Sequence, residues 1–204
     1  MKERPIIFSS EMVRAILETR KTMTRRLVKP QPDNDGRVDT KNGMAYVRGE
    51  RGDQCVRVPC PYGIPGDLLW IKETWASCSC GAIDCKGVVF KDHLGAWNVE
   101  KWKSPRFMPK KYSRITLEII NVRVEKLQEI TEEDAKREGI EVMQRPESVG
   151  GGIRYSAPAC GDRPPYWEYS AVTAFIYLWD SIYGKDSWEA NPFVWVIEFK
   201  RVKP

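Results

Sequence analysis

Ile115-Thr116-Leu117-Glu118-Ile119-Ile120-Asn121-Val122-Arg123-Val124-Glu125-Lys126-Leu127 is the stretch on which the fold class turns. Ile115, Leu117 and Ile119 alternate with polar residues, and after a slip of phase Val122, Val124 and Leu127 resume the apolar face. That is the pattern of a long half-buried strand, and the slip predicts a bulge near Asn121. On either side lie shorter strand patterns at 5–8, 22–28, 68–71 and 193–202, the third entered through the turn Pro65-Gly66-Asp67. Three helices fall between them. The first is capped by Ser9 or Ser10, carries Met12, Val13, Ile16 and Leu17 on one face, and ends near Arg20. The second opens at Thr131, with Asp134 three residues on, and stops at Gly139 with Glu138 as its last residue. The third runs from Ser170 to Tyr183, presents Val172, Phe175, Ile176, Trp179 and Ile182 along one side, and stops at Gly184. Strands interspersed with a few helices place the chain in the α+β class and favour a mixed β-barrel with flanking helices over a doubly wound sheet.

The 204 residues are read as one domain, 1–204, with insertions at about 29–54, 76–105 and 144–165. The first of these is a loop broken by Pro30, Pro32 and Gly36, and the last, rich in Gly and Pro, is a mobile loop. A hydrophobic content of 42% with 30% charged residues suits a folded chain with a soluble surface. The early apolar run Pro5-Ile6-Ile7-Phe8 is too short for a signal-peptide core, and no segment reaches bilayer-spanning length, so a cytoplasmic location is expected. The net charge of +5 permits a polyanionic partner without requiring one.

The chemistry-bearing segment is Thr19-Arg20-Lys21-Thr22-Met23-Thr24-Arg25-Arg26, where a helix end gives way to a strand. Along a strand Thr24 and Arg26 project to one side, so a hydroxyl and a guanidinium line the same cavity. Lys21, at the turn before them, becomes a usable base if it is desolvated beside other cations. A solvated basic edge explains the same spacing equally well.

This segment resembles the ASCH signature Gly-x-Lys-x-x-Thr-x-Arg, met at Lys21, Thr24 and Arg26, with Thr19 where the family has glycine. Pro65-Gly66-Asp67-Leu68-Leu69-Trp70 is similar to the family's Gly-Asp turn, the segment 130–139 to its helix after the long strand, and Trp195-Val196-Ile197-Glu198-Phe199 to its closing strand. The resemblance implies a PUA-like β-barrel that handles RNA or its nucleosides. It further implies an amidohydrolase branch acting on N4-acetylcytidine, with Lys21 as proton acceptor, Thr24 as nucleophile and Glu138 as proton donor. Arg26 and Arg25 are then the expected substrate-binding cations, and no cofactor is required. A threonine hydroxyl attacks only when a neighbouring base takes its proton, and the leaving amine needs an acid. A non-catalytic RNA-binding module, a ribonuclease and a structural or interaction protein remain as alternatives.

Cys78, Cys80 and Cys85 lie within eight residues, and Cys55, Cys60 or His93 supplies a fourth ligand for tetrahedral zinc. Without paired Cys-x-x-Cys knuckles, incidental reduced cysteines are the other reading. Trp70, Trp179 and Trp195 sit inside strand or helix patterns and are assigned to the core, while Trp97 and Trp102, in an insertion beside Lys101 and Lys103, are candidates for stacking on bases.

Overall fold

The computed structural model describes residues 1–32, 39–41, 44–48, 55–78, 87–91, 99, 101–149, 151–158 and 167–202. In chain order the elements are β1 (Glu3–Ile7), α1 (Ser10–Leu17), β2 (Met23–Leu27), β3 (Asp39–Lys41), β4 (Met44–Arg48), β5 (Cys55–Pro59), β6 (Leu68–Lys72), β7 (Trp75–Ser77) and β8 (Val88–Phe90). They continue with β9 (Thr116–Lys126), α2 (Glu132–Arg137), β10 (Glu141–Gln144), β11 (Ile153–Ser156), β12 (Trp167–Glu168), α3 (Ala171–Tyr183) and β13 (Phe193–Val202).

The centre is a five-stranded sheet in the order β1-β6-β9-β13-β2, parallel at β1·β6 and antiparallel elsewhere. β13 is covered on both faces, and Phe193 to Ile197 are all buried in succession. The long strand carries its bulge where the phase slip placed it: Glu198 of β13 faces Asn121 and the next residue, Phe199, faces Ile119, leaving Ile120 as the extra, exposed residue. Asp67 ties the parallel edge together by accepting the Lys2 amide at 2.7 Å.

Three expectations are corrected. The sheet does not close into a barrel: among the described residues β1 and β2 are its two edges, and the remaining strands form three separate small sheets. The stretch 29–54 is not a single loop, because β3, β4 and β5 pair as an antiparallel sheet that sends Ala45 and Val58 into the core. Nor is 144–165 a structureless loop, since β11 pairs with both β10 and β12.

The helices begin within a residue of their expected starts. Ser9, Thr131 and Ser170 side chains accept the amides of Met12, Asp134 and Thr173. Glu132 then binds α2 to α3: its carboxylate accepts the Ser170 hydroxyl at 2.5 Å and the Ala171 amide at 2.8 Å. Burial works to raise the Glu132 carboxyl, but these donors at a helix N-terminus outweigh it and hold the group below its ordinary value.

Candidate functional site

α2 has one buried apolar residue, Ala135, so hydrophobic contact alone gives it little hold on the sheet. An ion network supplies the rest. Lys21 Nζ donates to Glu138 Oε2 at 2.7 Å and to the Glu138 carbonyl at 2.7 Å. Arg25 on β2 reaches Glu138 at 3.3 Å, Glu125 of β9 at 2.5 Å and Asp134 of α2 at 2.8 Å. Arg123 continues to Glu125, Asp134 and Glu198, and Arg137 closes on Glu198 at 2.7 Å. Four cations thus meet four carboxylates, and the Lys21 and Arg25 side chains are wholly buried.

The two buried cations respond differently. For Lys21, burial dominates and lowers the ammonium below its ordinary value; Glu138 pulls it back up, while Arg26 and Arg25 push further down. For Arg25, burial also opposes the charge, but Glu138, Glu125 and Asp134 together raise it. Of the closely spaced basic residues Arg20, Lys21, Arg25, Arg26 and Lys29, Lys21 and Arg25 are therefore consumed inside the protein. Arg20 pairs with Glu18 and, at 3.8 Å, with Glu141.

Gly139, one residue beyond the network's key carboxylate, has φ +98°, and a Cβ there would lie 3.2 Å from both the Ala15 and Lys21 Cβ atoms. Gly139→Ala is expected to cost about 2 kcal/mol through strained backbone and displaced Lys21, read as a lower thermal midpoint; an unchanged midpoint would disprove the tight approach. Thr19 shows the converse. It holds φ +61°, and its hydroxyl reaches no further than the Glu18 carbonyl. A glycine adopts that conformation without a Cβ penalty, so Thr19→Gly is expected to raise stability by up to about 1 kcal/mol. A fall in the thermal midpoint would refute this.

Above the network lies a cleft of about 200 Å³. Its polar side is Thr24, Arg25, Arg26 and Glu138; its apolar side is Ile7, Met12 and the α3 residues Phe175, Leu178, Trp179, Ile182 and Tyr183. Trp179 and Tyr183, one turn apart on α3, stack with ring centroids 4.1 Å apart. Arg26 has no carboxylate partner among the described residues. It donates to the Ile7 carbonyl at 2.7 Å and lies over the Phe8 ring at 5.2 Å; burial pushes the nearby Tyr183 hydroxyl up although Arg26 opposes the shift. Three buried N–H groups on cleft residues, Arg25 Nε, Arg26 Nε and Trp179 Nε1, find no acceptor among the described residues.

The structure brings Thr24, Arg25, Arg26 and Glu138 to one cleft, with Lys21 behind Glu138 rather than in the wall. Glu138, readable in the sequence as a solvated helix end, is 3% exposed. Trp102 is half-buried and stands apart from the cleft; Trp97 lies outside the described residues. Cys80, Cys85 and His93 do too, so only Cys78 of the thiol cluster is placed, with its amide donating to the Gly87 carbonyl. Trp179 and Trp195 are core residues as expected, whereas Trp70 is half-exposed with Lys72 above its ring. Sequence reading missed the α3 wall as a site, and the Trp179 and Tyr183 pair on one helical face was its signal. No helix among the described residues is long and apolar enough to cross a membrane. No family model, no curated protein and no solved structure matches the chain.

Proposed function

We propose that the cleft binds a small N-acylated nucleoside of the N4-acetylcytidine kind and hydrolyses its amide, as a relative of the ASCH amidohydrolases. The observation that carries this reading is that Thr24, the buried Glu138, Arg25 and Arg26 line one cleft against an aromatic wall. A base fits between apolar and aromatic side chains, with its polar edge towards Thr24 and Arg26. Because Lys21 and Arg25 are already neutralised, the cleft suits a small ligand better than a phosphate backbone.

Lys21 Nζ donates to Glu138 Oε2 at 2.7 Å, a path along which a proton can pass in the reaction. Transfer of that proton from Nζ to Oε2 leaves an amine and a carboxylic acid with no change in net charge. Thr24 Oγ attacks the acyl carbon as its proton passes into the pair, Glu138 protonates the departing amine, and the C–N bond breaks to leave an acyl ester on Thr24. Water then cleaves the ester, its proton passing through Glu138, and the carboxylic acid leaves as the Thr24 hydroxyl is restored. Incubation of the purified protein with a panel of N4-acylated cytosine nucleosides should release the amine; no turnover of any member would overturn the reading. Recognition without turnover is the second reading, favoured because both hydrogen bonds of Lys21 Nζ end on Glu138 and neither on Thr24.

A further inference from the structure

Residues 101–114, Lys-Trp-Lys-Ser-Pro-Arg-Phe-Met-Pro-Lys-Lys-Tyr-Ser-Arg, hold six cations and no acid. That exceeds the chain's whole net charge of +5, so the protein's positive surplus is concentrated in this strap. Of the six, Lys110 pairs with Glu3 and Arg114 with Glu73. Lys101, Lys103, Arg106 and Lys111 are exposed and have no carboxylate partner among the described residues.

The strap is firmly seated. Met108 is 1% exposed and its sulfur accepts the Glu73 amide, the Lys103 backbone bridges to Trp75, and Lys72 Nζ donates to the Arg106 carbonyl at 2.5 Å. Pro105 and Pro109 open two short 3₁₀ turns. With Met108 turned inward, its neighbour Phe107 stands 74% exposed among the cations. The protein's own core makes no use of that ring.

We propose that this strap is a binding surface for single-stranded polynucleotide, separate from the cleft and independent of the chemistry assigned there: Lys101, Lys103, Arg106 and Lys111 meet phosphates, and Phe107 stacks on a base. An exposed aromatic set among cations without carboxylate partners matches single strands, whose bases are unstacked and open. A duplex would need a helix or ribbon to enter a groove, and the strap offers only 3₁₀ turns. A lipid surface would need a broad apolar face, whereas Trp102 and Tyr112 are half-buried and Phe107 is the strap's sole fully exposed large apolar side chain.

The test is fluorescence anisotropy of labelled mixed-sequence dodecamers, one RNA, one DNA and one duplex, with the full chain at several salt concentrations. Single strands should bind with a slope of log K against log salt of about −3, four phosphates at about 0.7 each. Either sugar supports the proposal, and their ratio shows whether the 2′-hydroxyl is read. Together Lys101→Glu, Arg106→Glu and Lys111→Glu should weaken binding at least about tenfold and flatten the slope. Phe107→Ala should weaken it about fivefold or more with the slope unchanged. Thermal melts identify any variant that fails to fold, and Phe107→Ala, on an exposed side chain, keeps the test alive if the triple variant does. No binding at low salt overturns the proposal, as does a preference for duplex or equal binding by all variants. Heparin bound as tightly as the oligonucleotides would mean a generic polyanion site, and binding only to phosphatidylserine vesicles a membrane surface; each also overturns it. Cleft turnover is read separately on free nucleoside, which the strap variants should process unchanged.

Discussion

Glu138→Ala lowers stability by about 3–5 kcal/mol, the cost of leaving a buried charge without its partner. Two cations depend on this carboxylate: Lys21, whose side chain is 0% exposed, and Arg25, likewise 0% exposed. The removed side chain also unfastens the C-terminal end of α2, which has few apolar contacts to replace it. Glu138→Gln keeps the shape and some hydrogen bonds but leaves the network with one uncompensated cation, so its loss is smaller. Urea unfolding of the three proteins measures the series, and equal stability of Glu138→Ala and the parent would show that the network is not holding α2.

The same network predicts acid sensitivity with a definite sign. Burial alone would raise Glu198, but Arg137, Asn121 and Arg123 hold it below its ordinary 4.5. A carboxylate with a depressed folded value stabilises the fold above its unfolded value, and that contribution is lost as pH falls from about 4.5 through the folded value. Lys21 has the same sign at the alkaline end. Its ammonium binds a proton less readily folded than unfolded, so its contribution improves as pH rises through the lowered folded value towards 10.5.

This network also explains what could be read from the sequence. Helix starts at Ser9, Thr131 and Ser170 were legible because a cap and the helix it serves are adjacent in the chain. The bulge at Ile120 was legible for the same reason, since a phase slip is written in neighbouring residues. Arg25 was not. Its partners lie 100, 109 and 113 positions away, so a local reading left it as a substrate-binding cation or part of a solvated basic edge, where the fold pairs it with three carboxylates. Sheet closure is equally non-local: the register of β1 is set by β6, some sixty residues on, and nothing in either strand records whether the outer edges meet. The β3 to β5 sheet was hidden because Pro30, Pro32 and Gly36 mark breaks at the start of 29–54, whereas the pairing strands follow them.

On the proposed amidohydrolase reading, Thr24→Ala is expected to abolish hydrolysis, with a fall in turnover of at least about 10³-fold, and to leave the fold intact. The residue is 4% exposed, paired with Ile197 in the sheet and placed in the cleft wall, so deleting one hydroxyl and one methyl costs only about 1 kcal/mol of burial while removing the attacking oxygen. Thr24→Ser, which keeps that oxygen, should retain turnover within about tenfold. Arg26→Ala should act on KM instead, by about 10- to 100-fold, because its guanidinium offers charge-assisted hydrogen bonds but takes no proton. Mass spectrometry after brief exposure to substrate adds a readout independent of rate: the parent protein should gain the mass of one acyl group, and Thr24→Ala should not. Retained turnover in Thr24→Ala would remove threonine as the nucleophile. If the parent binds acylated nucleoside without turnover or acylation, and Thr24→Ala and Arg26→Ala both weaken that binding, the cleft recognises its ligand and performs no chemistry.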